Sequence, residues 1–589
     1  MELGKWKLSD LYASNSAFKK DLAKAKNYVK NIEKYQNKLI KNDKKILLDY
    51  FKEDEEFSVI AEKLAVYARV KFDDNGRNEE NIKTYQAVSA FFTDANKRLA
   101  FVRTELSSLS DEFLNEIKSD PEFKDFDRAI CDIIRQKQHI LSEKEEKILA
   151  SLSSFVTSDD IYDTLTDIEM NHGEFVDEGG RKIKLTTGNF NLLMKSSKQF
   201  ERKKVYETYL GEYKNLNQTL TNLYLSNVKY MNFISDIRGF NSTLDMLTFD
   251  EEVTPDIMLQ NIKRVSSKVN LLQEYFEVKK KVMNLSEFYT ADIFANIVRT
   301  KQDGIPYEKA VDRIKEAFKI LGEDYADMFQ KAVDEGWIDA FPRENKASGG
   351  YTISNYSNHP YILLNYDGTA YWKSAIAHEF GHAMHSYYSA KNQPYSKSHY
   401  TIFVAEVASL TNEILLSHHE LMEEKDKTKK VQILAEFLQT FYLNVFNSSM
   451  LAELELFVHD SLQKGKELSA NDINQKFVSL SKKYFGTSVK FNENYEYDWS
   501  RKSHIFRDYY LYKYSTGLIS AAAIAKQILS DKTGEYVKKY KEFLSLGGSL
   551  DPLSSLKLAG VDITNKKTYD LAFGLYEEYL NNLKEIVNK

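Results

Sequence analysis

The sequence predicts a mainly α protein, built as one large helical body with lobes. The chain of 589 residues contains only 7 prolines and 23 glycines, so few residues that break helices interrupt it. Apolar residues recur at helical spacing through most of the chain, and only two short regions show an extended pattern. No linker rich in proline, glycine or serine divides the sequence. We therefore expect lobes of one body rather than independent domains.

Composition and charge narrow the class of protein. Hydrophobic residues make up 42% and charged residues 29%, and the net charge is −6, which is typical of a soluble globular protein and supplies no basic surface for nucleic acid. Cys131 is the only cysteine, so no intrachain disulfide can form. The opening residues, MELGKWKLSDLYASN, lack the apolar core of a signal peptide, and no apolar run approaches the roughly 18 residues of a membrane span. We expect a cytoplasmic protein without nucleic-acid or membrane partners.

The first third of the chain is predicted to be helical, with one hairpin. Apolar residues at helical spacing predict a helix over 18–41. Ser142 and Glu145 form a capping box, which predicts a helix start. Two short extended runs flank the glycine pair in EFVDEGGRKIKLT, which indicates a small hairpin. We assign residues 1–195 to an N-terminal helical lobe that includes this hairpin, and residues 196–589 to a second domain.

Helices are expected to continue through the second domain, with one extended region. The run 254–256, Thr-Pro-Asp, predicts a helix start with a hydroxyl cap and proline in the first turn. The helical pattern breaks over 344–370, where two strands are predicted at 351–353 and 361–365. The stretch SAIAHEFGHAMHSYY, residues 374–388, follows at once and carries a helical apolar stripe. An extended segment in this position suits a strand that binds peptides along its edge.

This helical stretch contains a His-Glu-x-x-His motif. His378 and His382 are four residues apart, so a helix places them on one face with about 5–6 Å between Cβ atoms. Two imidazoles in that arrangement can bind one Zn²⁺, and Glu379 can take a proton from the water that the ion activates. Gly381 lies in the middle of the helix, where glycine costs about 1 kcal/mol relative to alanine. Its presence predicts the close approach of another backbone.

A catalytic zinc usually takes three protein ligands. His385 shares the face of the histidine pair, but it lies about 10 Å along the helix from His378 and is too far to share the ion. In FVAEVASLTNE, Glu406 and Glu413 are seven residues apart and share a helix face. Glu406 can ligate the metal, and Glu413 can accept a hydrogen bond from the outer ring nitrogen of a ligand histidine. A solvated acidic face is the alternative explanation of the same spacing.

Together, AHEFGHAMHSYYS and FVAEVASLTNE closely resemble the thimet-oligopeptidase-like zinc metallopeptidases, and among these the oligoendopeptidase F group. Other blocks resemble the same family: WKLSDLY, ASGGYTISNYSNHPYILLNY, HIFRDYYLYKYSTG and FLSLGGSLDPLSSLKLAGVDI. The resemblance thus covers nearly the whole chain. It implies a large two-lobed helical peptidase of the zincin type, with a small β-sheet beside the HExxH helix and a deep substrate channel. Residues 196–589 would then form the catalytic domain.

The resemblance also implies an activity and a set of site residues. The activity is hydrolysis of internal bonds in short peptides, because folded proteins cannot enter the channel. Carried onto this chain, the residues that hold one Zn²⁺ are His378, His382 and Glu406. The resemblance implies Glu379 as the general base and Glu413 as the residue that hydrogen-bonds a ligand histidine from outside the metal centre.

The family's His/Tyr segment matches HIFRDYYLYKYSTG. This match implies that His504, Tyr509 and Tyr512 bind the substrate or the oxyanion of the transition state, with Tyr510 as an alternative for one of these roles. A neutral phenol donor aimed at a developing oxyanion stabilises it more than it stabilises the ground-state carbonyl.

Two other functions compete with an endopeptidase. An exopeptidase would need a positive charge for the substrate's terminal carboxylate, and Arg501, Lys502 and Arg507 lie near His504 in the sequence. A non-catalytic peptide-binding scaffold would typically have lost a ligand or the general base, whereas all four implied residues are present.

Overall fold

The structure, a computed structural model, describes residues 3–153, 158–298 and 304–588. Helices dominate these residues, which confirms the predicted mainly α class. The first helices are α1 (Asn15–Ile32), α2 (Lys44–Asp74), α3 (Glu79–Leu99), α4 (Phe101–Ser107), α5 (Asp111–Lys118), α6 (Asp127–Gln136), α7 (Glu143–Ser153) and α8 (Ser158–Asp163). After the strands β1 (Glu174–Val176) and β2 (Lys182–Lys184) come α9 (Thr187–Leu193), α10 (Gln199–Asn215), α11 (Asn217–Ile237), α12 (Thr243–Asp250), α13 (Pro255–Ser266) and α14 (Val269–Val282).

The second half of the chain contains a short sheet followed by helices. It begins with α15 (Tyr307–Phe318), α16 (Glu323–Asp334), β3 (Ile338–Asp339), β4 (Tyr351–Ile353), β5 (Tyr361–Leu363), α17 (Ala370–Asn392), α18 (Tyr395–Ser398) and α19 (Ile402–Glu423). It ends with α20 (Lys427–Phe441), α21 (Ser448–Gln463), α22 (Ala470–Phe485), α23 (Leu511–Ser530), α24 (Glu535–Leu544), α25 (Pro552–Leu558) and α26 (Lys566–Asn588). Among the described residues, no helix is both long enough and apolar enough to cross a membrane.

The chain divides into two compact units, each assembled from three segments. Unit 1 comprises Met1–Glu146, Gln302–Leu416 and Gln527–Val561. Unit 2 comprises Lys147–Lys301, Ser417–Lys526 and Asp562–Lys589. The predicted division into residues 1–195 and 196–589 stays a prediction, as do the two lobes and the channel.

Unit 1 contains a three-stranded sheet in the order β3-β5-β4, with β3 parallel and β4 antiparallel to β5. Side chains alternate between the faces of a strand. Ile353 of β4 accordingly packs with a core cluster that includes Tyr67 of α2, and the Tyr351 hydroxyl donates to Asp73 of α2 at 2.6 Å. Thr352 points the other way, to α17. The predicted small sheet beside the motif helix is thus confirmed.

Local sequence signals account for several element boundaries. The strand predicted at 351–353 is β4, whereas β5 ends two residues before the predicted end at 365 and β3 was not predicted. In the capping box before α7, the backbone N–H groups of Ser142 and Glu145 each donate to the other residue's side chain. The predicted hairpin is β1-β2. The helix predicted at 254–256 begins at Pro255, but the Thr254 hydroxyl makes no capping hydrogen bond, so the fixed φ of proline sets this start.

Candidate functional site

Helices α17 and α19 bring three ligand atoms together in unit 1. His382 Nε2 lies 3.2 Å from His378 Nε2. Glu406 Oε2 lies 3.5 Å from His378 Nε2 and 3.7 Å from His382 Nε2. Atoms bound at 2.0–2.1 Å to a tetrahedral centre are separated by about 3.3 Å. The donor types and their separations therefore fit one zinc ion.

Gly381 allows the two helices to approach this closely. A Cβ atom on Gly381 would lie 2.5 Å from Ser409 Cα and 2.7 Å from the Ala408 carbonyl oxygen, both in α19. The backbone approach predicted from this glycine is confirmed. The same contact is supported by Asn412 Nδ2, which donates to the Ala377 carbonyl at 3.1 Å. Position 381 thus sets the distance between Glu406 and the histidine pair.

Gly381→Ala is expected to lower both the melting temperature and the zinc affinity. The added methyl must push α19 away, and such overpacking typically costs 1–3 kcal/mol. Gly574→Ala is the matched control, because Gly574 is also helical but nothing lies within 4 Å of a Cβ there. That control should gain up to about 1 kcal/mol from helix propensity. Thermal unfolding and competition with a zinc chelator measure both effects. A Gly381→Ala protein with normal zinc affinity would contradict this role for the glycine.

Outer partners orient the two imidazoles. Glu413 Oε1 lies 2.6 Å from His378 Nδ1, and the Ser374 hydroxyl donates to Glu413 Oε2 at 2.8 Å. The backbone carbonyl of Ala405 accepts a hydrogen bond from the His382 ring. A hydrogen bond from the outer nitrogen fixes the tautomer of a ligand imidazole and its direction. Glu413 therefore holds His378 with Nε2 aimed at the cluster.

Burial and charge shift the pKa values of these groups. Burial lowers the pKa of His378, but the hydrogen bond and charge of Glu413 outweigh it and raise the value to about 9. Burial, together with the charge of His378, lowers the pKa of His382 to about 3. A metal ion takes neutral imidazole, so metal binding releases the His378 proton and is favoured as pH rises.

Glu379 follows the first histidine of the same motif, and the residue is 8% exposed. Burial raises its pKa. The Thr352 hydroxyl oxygen lies 2.8 Å from Glu379 Oε2 and 2.8 Å from the Glu379 carbonyl oxygen. Thr352 was not predicted from the sequence. Its signal is the polar middle residue of Tyr-Thr-Ile in β4, which a strand directs to the face opposite its apolar neighbours.

His385 has a packing role in the structure. Its ring stacks on Tyr400 with 3.6 Å between ring centroids and 6° between planes, and it is 1% exposed. Burial lowers the pKa of His385 to about 3, so its imidazole is neutral. Among the described residues, the group that can hold a metal ion contains His378, His382 and Glu406, and His385 is not part of it.

The predicted His/Tyr segment lies in unit 2. The Tyr514 hydroxyl is 3.2 Å from His504 Nε2, and the His504 ring stacks on Tyr510 at 5.9 Å. Both tyrosines are partly exposed. Tyr509 and Tyr512 are only 2% and 1% exposed. The structure therefore groups His504 with Tyr510 and Tyr514 and buries Tyr509 and Tyr512, and the roles implied for these residues stay a prediction.

Side chains of α11 and α21 contact the backbone and Asp508 of this segment. Tyr509 has a positive φ of 52°, and its backbone N–H donates to the buried Glu455 carboxylate at 3.0 Å. Asp508 accepts from Asn227 Nδ2 at 2.7 Å and lies 2.9 Å from His459 Nε2. These contacts of Glu455, His459 and Asn227 were not predicted from the sequence. Each is one polar residue in a helix that carries no other signal of a special role.

Comparisons with known proteins identify the family of the chain. The chain matches the model of peptidase family M3 over residues 192–575 and the model described as oligopeptidase F over residues 105–171. Oligopeptidase PepF of Bacillus subtilis (strain 168) is 31% identical, with 99% of this chain and 87% of that protein aligned. An oligoendopeptidase F homolog of Borreliella burgdorferi is also 31% identical, over 99% of this chain and 98% of that protein.

A solved structure shows the same fold. The crystal structure of a peptidase from Chlamydophila abortus matches with a TM-score of 0.92 and 28% identity, over 99% of this chain and 98% of that one. The M3 match covers more than half of the chain, and two full-length relatives exceed 30% identity. These findings confirm the resemblance found in the sequence: the chain belongs to peptidase family M3, and it is a metallo-endopeptidase.

Proposed function

We propose that the chain is a zinc-dependent endopeptidase that hydrolyses internal bonds of short oligopeptides, with one Zn²⁺ held by His378, His382 and Glu406. The spacing of the three ligand atoms carries this proposal, because it fits a tetrahedral centre beside a buried carboxyl. The names of the relatives, oligopeptidase and oligoendopeptidase, support short peptides as substrates. We also propose a cytoplasmic location and no nucleic-acid or membrane partner, on the sequence argument.

Each group of residues at this site in unit 1 has its own role in the proposed reaction. A zinc ion in this cluster would polarise the scissile carbonyl and acidify the attacking water. Glu379 accepts the proton of that water and delivers it to the leaving amine, and no side chain becomes acylated. Glu413 keeps the His378 tautomer that ligation requires. β4 lies at the edge of its sheet, so its outer backbone groups can pair with an extended substrate.

An internally quenched peptide with both ends blocked tests this function. We expect cleavage inside the peptide, with two fragments identified by mass spectrometry and activity lost on treatment with a chelator. Trimming of unblocked peptides from the C-terminus, with no cleavage of the blocked one, would show an exopeptidase instead. Because Arg501 pairs with Asp498 at 2.6 Å, Lys502 and Arg507 are the cations that this alternative would use. Binding without cleavage would show a scaffold.

We further propose that the His504 segment of unit 2 serves the same reaction, on the strength of the resemblance. Exposure favours Tyr510 or Tyr514 as the oxyanion donor over Tyr509 and Tyr512. Changing the donor to phenylalanine should lower kcat about 100- to 1000-fold and affect KM less, because the bond matters mainly in the transition state. Steady-state kinetics on one quenched peptide measures this.

Tyr509→Phe and Tyr512→Phe are the matched controls and should cost little. If only these two variants lose kcat, the roles that the resemblance implies for Tyr509 and Tyr512 hold. If all four tyrosine variants keep the wild-type kcat, the oxyanion donor lies outside this segment.

A further inference from the structure

The Glu379 carboxyl has a single hydrogen-bonding side chain among the described residues, Thr352. Thr352 Oγ1 is equally distant, at 2.8 Å, from Glu379 Oε2 and from the Glu379 carbonyl oxygen. The position is built into β4, since its neighbours Tyr351 and Ile353 are fixed on the opposite face by Asp73 and the core cluster at α2. The hydroxyl is thus placed by the sheet, not by a flexible loop.

A threonine hydroxyl has one proton to donate and two lone pairs to accept with. The Thr352 proton can therefore be donated either to Oε2 of the Glu379 carboxylate or to the Glu379 carbonyl oxygen. Donation to the carboxylate fixes the position of Oε2 relative to β4.

We propose that Thr352 is a positioning residue for peptide hydrolysis, whose hydroxyl holds the Glu379 carboxyl in the orientation in which it takes the proton of water. This rests on the proposed function, in which Glu379 carries that proton. The proton leaves the attacking water, resides on Glu379 and ends on the leaving amine nitrogen, while Thr352 keeps its own.

The burial of Glu379 makes this partner important. With the residue 8% exposed, bulk water cannot readily replace a lost hydrogen bond, and an unpaired buried carboxyl carries a desolvation cost. The Glu379 carbonyl oxygen lies equally close to the same hydroxyl, so one proton is shared between two oxygens of the residue that it orients. A carboxyl without this partner can rotate away from the water that it must deprotonate.

Thr352→Val and Thr352→Ser test the proposal. Valine keeps the branched shape that suits a strand but has no hydroxyl. We expect Thr352→Val to lower kcat about 10- to 100-fold, as loss of a hydrogen bond to a charged group would, with KM nearly unchanged. Thr352→Ser restores the hydroxyl and should recover most of the activity. Zinc content should match the wild type in both variants, whereas Thr352→Val should melt at a lower temperature than Thr352→Ser, because it leaves a buried carboxyl without its hydrogen-bond partner.

A double variant separates positioning from a general structural role. If Thr352 acts through Glu379, adding Thr352→Val to Glu379→Gln should cause no further loss of the residual activity. The proposal is overturned if the two losses multiply, if Thr352→Ser is as slow as Thr352→Val, or if Thr352→Val keeps the wild-type kcat while Glu379→Gln is inactive. Full activity of Glu379→Gln would instead overturn the proposed function and this inference with it.

Discussion

Glu379→Gln is expected to slow peptide hydrolysis by about 10²- to 10⁴-fold and to leave the zinc content unchanged. The carboxyl lies outside the group of ligand atoms, so the substitution removes no ligand. The amide oxygen of glutamine can still accept from Thr352, which preserves the local packing. What is lost is the ability to take up and deliver a proton, and loss of general-base catalysis typically costs about 10²- to 10⁴-fold in rate. Turnover of the blocked quenched peptide and zinc per chain are the two measurements.

A matched control for this substitution is Glu423→Gln, because Glu423 is an exposed glutamate on α19. It makes the same change of charge and should keep both zinc and activity. Normal turnover by Glu379→Gln, in protein free of wild-type enzyme, would remove Glu379 from the mechanism. Loss of zinc in that variant would instead make Glu379 part of the metal centre.

The fold was predictable where the signal is local. Helices follow from scarce proline and glycine and from apolar periodicity, because each turn repeats the same geometry. β4 was found at its observed bounds, since it directly precedes the turn to β5 and alternates in character. β3 contains two residues, too few for any alternation to appear. The two compact units were not predicted, because each joins segments that are distant in the sequence.

The site was predictable to the extent that single helices carry it. His378 and His382 lie one helical turn apart, so the motif itself fixes their relation. The spacing in α19 indicated Glu406 and Glu413 together. Thr352 is in another element, and its distance to Glu379 depends on how the sheet packs on α17.

The roles of the tyrosines in YYLYKY, residues 509–514, could not be assigned from spacing alone. Helix α23 begins only at Leu511, and Tyr509 adopts a positive φ just before it. Helical spacing therefore does not predict the directions of the Tyr509 and Tyr510 side chains. Spacing from His504 cannot show which of them are exposed, and the structure buries Tyr509 while leaving Tyr510 accessible.

Glu406→Ala is expected to lose zinc and activity together. Glu406 supplies the one carboxylate oxygen among the three ligand atoms. The Ser409 hydroxyl lies 2.9 Å from the Glu406 carbonyl oxygen and 3.2 Å from its Oε2. Without Glu406, two imidazoles remain on α17, fewer than the three protein ligands of a catalytic zinc site. Glu413→Ala should weaken zinc binding by about 10- to 100-fold, as removal of an outer partner does. Competition with chelators of graded affinity ranks the variants.

His385→Phe is the control that distinguishes a ligand from a neighbour on the same helix face. Phenylalanine can keep the stacking on Tyr400 and contact Phe543, so the fold should hold without the imidazole. Because His385 lies outside the group of ligand atoms, the variant should bind zinc with wild-type affinity. If His385→Phe loses the metal and Glu406→Ala retains it, the ligand set is wrong. The predicted order of zinc affinity, from tightest to weakest, is therefore wild type and His385→Phe, then Glu413→Ala, then Glu406→Ala.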